Sequence, residues 1–140
     1  QGPQGNPGSD ATVNYANINA ALMDTTKTLN LGGALVVKGD ITAFATSDER
    51  LKQNVKIITN PLDKLKLING YTFDWIEDEK IHNNKGSDVG VIAQEIESIL
   101  EEATVTRSNG YKAVKYEKLV PFLITCIKEQ QKQIDELKNK

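Results

Sequence analysis

The 140 residues suffice for about one ordinary domain with appendages, and a 39% hydrophobic share with 6% aromatics is thin for a chain that buries itself alone, so association with further copies is expected. A formal net charge of −2, with lysines dispersed among acids, offers no basic stripe for a phosphate backbone and sets nucleic acid aside. One histidine leaves no multi-histidine metal centre and one cysteine no intrachain disulfide, while the longest apolar run falls short of the ~20 residues a membrane span needs, so no cofactor, metal or membrane is implied.

Residues 1–10 read Gly2-Pro3-Gln4, Gly5-Asn6-Pro7, Gly8-Ser9-Asp10, with glycine at every third position. That is the collagen period, in which only glycine fits where three chains meet at the axis; a flexible Gly/Pro linker is the alternative. The start at Gln1, without methionine or a signal-like core, suggests a piece of something longer. Over residues 11–46 the texture becomes small and β-prone, with Leu29, Leu31, Leu35, Val36 and Val37 punctuated by Gly32, Gly33 and Gly39. Short strands are expected there, belonging either to a β-rich fibre shaft shared between chains or to an edge sheet packed on the next domain.

At residue 47 the character changes. Ser47, Asp48 and Glu49 precede a helix-compatible run, a plausible N-terminus because their oxygens complement free amides. Asn60-Pro61 opens a second short helix with Leu62, Leu65 and Ile68 along one side. Tyr71, Phe73 and Trp75 alternate with polar residues as in a half-buried strand, with core packing as their default role and sugar stacking as the rival. Residues 77–87 read as a polar loop, in which His82 is expected to be solvated. Residues 89–95 run from strand into a helix whose stripe is Ile96, Ile99 and Leu100. Asn109-Gly110 signals a tight hairpin with positive φ at both positions.

From residue 116 a long helix is expected, with Pro121 in its first turn and Cys126 as core. Val120, Leu123, Ile127, Ile134 and Leu137 fall three and four apart if Gln130 takes the intervening seam position. Such a seam suits a coiled coil without fixing the number of strands, and a lone docked amphipathic helix is the alternative. The fold class is therefore α+β: a small globular core over residues 47–115 and a C-terminal helix over residues 116–140, behind a collagen-like segment over residues 1–10 and a β-rich stretch over residues 11–46.

Ser47 and Lys52 form the pairing in this sequence that looks like a nucleophile with a base. A lysine can take a serine's proton if its pKa falls towards neutrality, and Lys52 could reach Ser47 ahead of the helix or from a neighbouring chain. The plain alternative makes Ser47 a helix cap and Lys52 a surface lysine. The ordered motifs Thr46-Ser47-Asp48-Glu49-Arg50-Leu51-Lys52-Gln53-Asn54, Leu62-Asp63-Lys64-Leu65, Tyr71 to Trp75, Gly90-Val91-Ile92-Ala93-Gln94-Glu95 and Tyr116-Glu117-Lys118-Leu119-Val120-Pro121 resemble the intramolecular chaperone auto-processing domain, found at the C-terminus of phage endosialidases, tailspikes and tail fibres and in the myelin regulatory factor. The resemblance implies a homotrimer that directs folding of the preceding fibre shaft, then cuts between Thr46 and Ser47 with Ser47 as nucleophile and Lys52 as general base. Asp48 and Arg50 match the motif as supporting residues. It also implies a virion fibre, with the chaperone domain released in the host cytoplasm after cutting. A non-cleaving trimer cap and a receptor-binding fibre tip are the rival functions, and the host receptor is left open. The helix after Glu95 departs from the family pattern in lacking a proline-containing turn at residues 99–103.

Overall fold

The computed structural model describes residues 1–3, 15–23 and 26–140. It divides into two units, Gln1–Ser47 and Asp48–Lys140. In the first unit, a helix α1 (Tyr15–Leu22) forms within the stretch expected to be β-prone. Its YANINAAL sequence is rich in alanine, the best helix former, and local propensity decides where little packing opposes it. The glycine triplets from residue 4 onward lie outside the described residues. Residues 27–47 form neither helix nor strand, so the expected short strands are not paired within one chain. A strand's amides and carbonyls need a neighbouring strand, and Leu35, Val36, Ile41 and Phe44 stand exposed, Phe44 at 95%.

The second unit is mixed helix and small sheets. A single 3-10 turn (Glu49–Leu51) replaces the longer helix expected after Ser47. Asp48 caps it, accepting the Arg50 amide, and Lys52 turns the chain back to extended geometry. Helix α2 (Pro61–Leu65) starts at Pro61, whose missing amide costs nothing in a first turn, after Asn60 in the left-handed region. Strands β1 (Tyr71–Asp74) and β2 (Ser87–Gly90) pair antiparallel, Tyr71 opposite Gly90 and Asp74 opposite Ser87. The Trp75 amide extends the ladder by donating to the Gly86 carbonyl at 3.0 Å.

Helix α3 (Ala93–Ile99) ends in a 3-10 turn (Glu101–Ala103) that feeds β3 (Thr104–Thr106), paired antiparallel with β4 (Lys112–Val114). The hairpin forms as expected, but only Gly110 takes positive φ, at 84°. The Gly110 amide donates to the Arg107 carbonyl, and Asn109 instead accepts the Tyr111 amide on its Oδ1, so one residue rather than two supplies the left-handed step. A 3-10 turn (Tyr116–Lys118) leads into α4 (Leu119–Lys138).

The core lies where α4 crosses α2. Ile99, Phe122 and Cys126 are buried, with Leu62, Leu65, Ile68 and Leu100 packed around them and Ile58 folded onto them. Cys126 occupies the core as expected, its thiol 3.5 Å from the Pro61 carbonyl and its pKa raised by burial. Ile96 and Ala103 complete the buried apolar set among the described residues. The other face of α4 is uncovered: Val120, Leu123, Ile127, Ile134 and Leu137, the seam read from the sequence, are all exposed.

Candidate active site

The segment around residue 47 is ordered by its own short-range chemistry. Within Asp48–Arg50 the guanidinium grips the carboxylate as a fork, Arg50 Nε donating to Asp48 Oδ1 at 3.0 Å and Nη2 to Oδ2 at 2.8 Å, while the Arg50 amide donates to Oδ1 at 2.8 Å. Bidentate pairing with a capping amide fixes both side chains in one geometry. The side-chain hydrogen bonds from Arg50 hold the Asp48 carboxyl below the usual carboxylate range, its amide adds to this, and the charge of Lys52 contributes a smaller pull the same way. The same contact raises the Arg50 pKa. Both groups lie at the surface of the chain, so the fork acts as a clamp on the turn rather than as a large source of stability.

The structure brings Asp48 and Arg50 together and places Lys52 at the end of the same turn, its amide bonded to the Glu49 carbonyl at 3.0 Å. Thr46 and Ser47 end the first unit, and Lys52 belongs to the second. Lys52 is exposed in the single chain.

Elsewhere in the second unit, polar contacts lock the hairpins and helices to one another. Tyr71 donates its hydroxyl to Glu95 Oε1 at 2.6 Å, and the Asn69 amide donates to Oε2 at 3.2 Å, so one carboxylate ties the start of β1 to the first turn of α3. The hydrogen bond to Glu95 is also what raises the Tyr71 pKa. Trp75 donates its indole N–H to Asp88 Oδ2 at 3.0 Å and packs edge-on against Phe73. His82, expected to be solvated, instead lies half-buried 5.1 Å from the Trp75 ring, with Nδ1 accepting the Asn84 amide. The loop folds back because Ile81 and His82 follow a turn in which both their amides donate to the Asp78 carbonyl. Gly90 lets the Tyr116 hydroxyl approach: a Cβ there would lie 2.7 Å from Tyr116 Oη. The pairs that join residues 13 to 26 positions apart are not legible from local sequence; the Gly90 to Glu95 and Tyr116 motifs are their visible signal.

Among the described residues no group of three His, Cys, Asp or Glu side chains is placed to hold a metal ion, and no helix is long and apolar enough to cross a membrane.

Residues 47–105 match the family model described as chaperone of endosialidase. The chain is 34% identical to long tail fiber protein Gp37 of Salmonella phage S16 over 115 residues, which cover 76% of this chain and 15% of that protein. It is 30% identical over 104 residues to Gp37 of Enterobacteria phages K3 and T2, covering 69% of this chain and 8% of each. The chain thus spans a small part of the fibre proteins it matches. With the motifs of residues 46–121 in order and the family model matched from Ser47 onward, the chain carries a domain of the chaperone of endosialidase family.

Proposed function

We propose that this chain is the intramolecular chaperone of a phage tail fibre: three copies assemble through it, direct folding of the preceding shaft, and then cut themselves between Thr46 and Ser47. The observation that carries the reading is the family match that begins at Ser47, the residue in front of which the cut would fall. The tail-fibre relatives support the fibre context and the virion as its destination. The exposed seam of α4 supports assembly through a coiled coil, and the glycine triplets of residues 2–10 support three chains over two. The upstream shaft, including residues 11–46, is the folding client. No cofactor takes part.

In the cutting step the Ser47 hydroxyl loses its proton to Lys52 as Oγ attacks the Thr46 carbonyl carbon. The C–N bond between Thr46 and Ser47 breaks, the Ser47 nitrogen takes the proton, and an ester joins Thr46 to Ser47 Oγ. Water then hydrolyses the ester, leaving a Thr46 carboxylate and a free Ser47 amine with its hydroxyl restored. Asp48 and Arg50 act as positioning residues that hold the turn. Because nucleophile and scissile bond share a chain, positioning supplies most of the rate. Lys52, exposed in one chain, becomes a competent base when neighbouring copies bury it, so correct assembly triggers the cut.

The test compares wild type with Ser47→Ala and Lys52→Ala by denaturing gel and intact mass, with sedimentation alongside. A fragment beginning at Ser47 is expected from wild type alone, with all three proteins trimeric. Equal fragmentation in the alanine variants would overturn the dyad, and an intact trimeric wild type would favour a permanent cap.

A further inference from the structure

The segment between the 3-10 turn and α2 is an arm whose Val55 and Ile57 side chains are left in solvent by their own chain. It is bracketed by Asn54 and Asn60, whose φ values of 54° and 49° make them the positive-φ non-glycine residues among those described. Asparagine tolerates this left-handed geometry better than branched residues do, but a conformation that costs energy persists only where surroundings or function hold it. Between these kinks Ile58 folds onto the core, whereas Val55 and Ile57 are 73% and 83% exposed. Lys56 sits between them. Docked as a strand, the arm turns Val55 and Ile57 to one face and Lys56 to the other.

The second unit offers a groove of about 810 Å³ between its two hairpins. Its apolar lining includes Tyr111, Ala113 and Val114 on the β3 and β4 side, and Asp74, Asp78 and Asp88 line it on the β1 and β2 side. Arg107 lies among the lining residues from the β3 and β4 side, so Lys56 is attracted to one wall only and the arm has a preferred direction.

We propose that the arm around Val55 and Ile57 docks in this groove on a second copy of the same chain, its two β-branched side chains on the apolar lining and Lys56 toward the aspartates. The proposal rests on the oligomeric reading above and deepens it. The arm's own groove is not its occupant site, since Val55 and Ile57 stand in solvent in the single chain. The exchange draws Lys52, three residues before Val55, onto the neighbouring copy, so the base is desolvated only in the assembly.

The test is a Val55→Asp, Ile57→Asp double variant followed by sedimentation and by fluorescence of Trp75, the sole tryptophan and a groove residue. Both positions are exposed within one chain, so the fold of the subunit tolerates the change. The expected result is assembly weakened at least about 100-fold, from the apolar area no longer buried, and a red shift of Trp75 emission. Unchanged assembly and emission would overturn the proposal, and weakened assembly with unchanged emission would overturn the groove as the receiving surface. A wild type that is monomeric at all concentrations overturns the oligomeric reading and this one together, whereas a wild-type trimer indifferent to the double variant but dissociated by Ile127→Asp overturns the arm alone.

Discussion

Replacing Ile127 with aspartate distinguishes a helix that docks on its own domain from one that joins three chains. In the single chain Ile127 is 64% exposed, so the substitution should move subunit stability by no more than about 0.5 kcal/mol. In a trimer the exposed part of this side chain becomes buried. Full burial of an isoleucine is worth about 1.5–3 kcal/mol, and 64% of that is about 1–2 kcal/mol per chain. Three chains lose about 3–6 kcal/mol together, a drop of roughly two to four decades in the assembly constant, before any penalty for placing carboxylates in the seam. Phe122→Ala is the contrasting change. Phe122 is fully buried between α4 and α2, and its truncation should cost about 3–5 kcal/mol within each subunit. Sedimentation equilibrium read beside the concentration dependence of the melting temperature separates the two effects. If Ile127→Asp leaves both the association state and the melting temperature at wild-type values, the seam is not an interface.

Gly90→Ala should destabilise the second unit by about 1–3 kcal/mol, because the new methyl lies 2.7 Å from Tyr116 Oη and the ring must shift. In a urea double-mutant cycle, Tyr116→Phe should return part of that loss despite removing the acceptor for the Val91 amide. On the acid side, the Val89 amide and then the Trp75 indole hold the folded Asp88 pKa below its ordinary value. Its stabilising contribution is therefore complete above about pH 4 and lost as pH falls through the folded value, and Asp88→Asn should remove this component from an acid titration followed by Trp75 emission. On the alkaline side, the hydrogen bond to Glu95 raises the folded Tyr71 pKa, so its contribution is complete below about pH 10 and lost as pH rises through the folded value. Tyr71→Phe should flatten the stability profile over that alkaline range.

Periodicity and punctuation alone determined most local structure in the second unit: the aromatic strand, the Asn60-Pro61 helix start, the Asn109-Gly110 hairpin and the long final helix. These are short-range signals, carried by side-chain alternation, caps and glycine geometry, and they survive without knowledge of neighbours. The motif order from Thr46 to Pro121 made the family legible as well. Only the tertiary structure decided which side chains meet across 13 to 25 positions of sequence, such as Trp75 with Asp88, Tyr71 with Glu95 and Tyr116 with the Val91 amide. It also decided which apolar residues turn inward. Leu123 and Ile127 look as hydrophobic as Phe122 and Cys126 in sequence, yet α2 is narrow and covers one stripe of α4, leaving the other in solvent. The same geometry left Val55 and Ile57 outside while taking Ile58 in, since a left-handed residue at each end sets the direction of an arm and hydrophobicity alone does not.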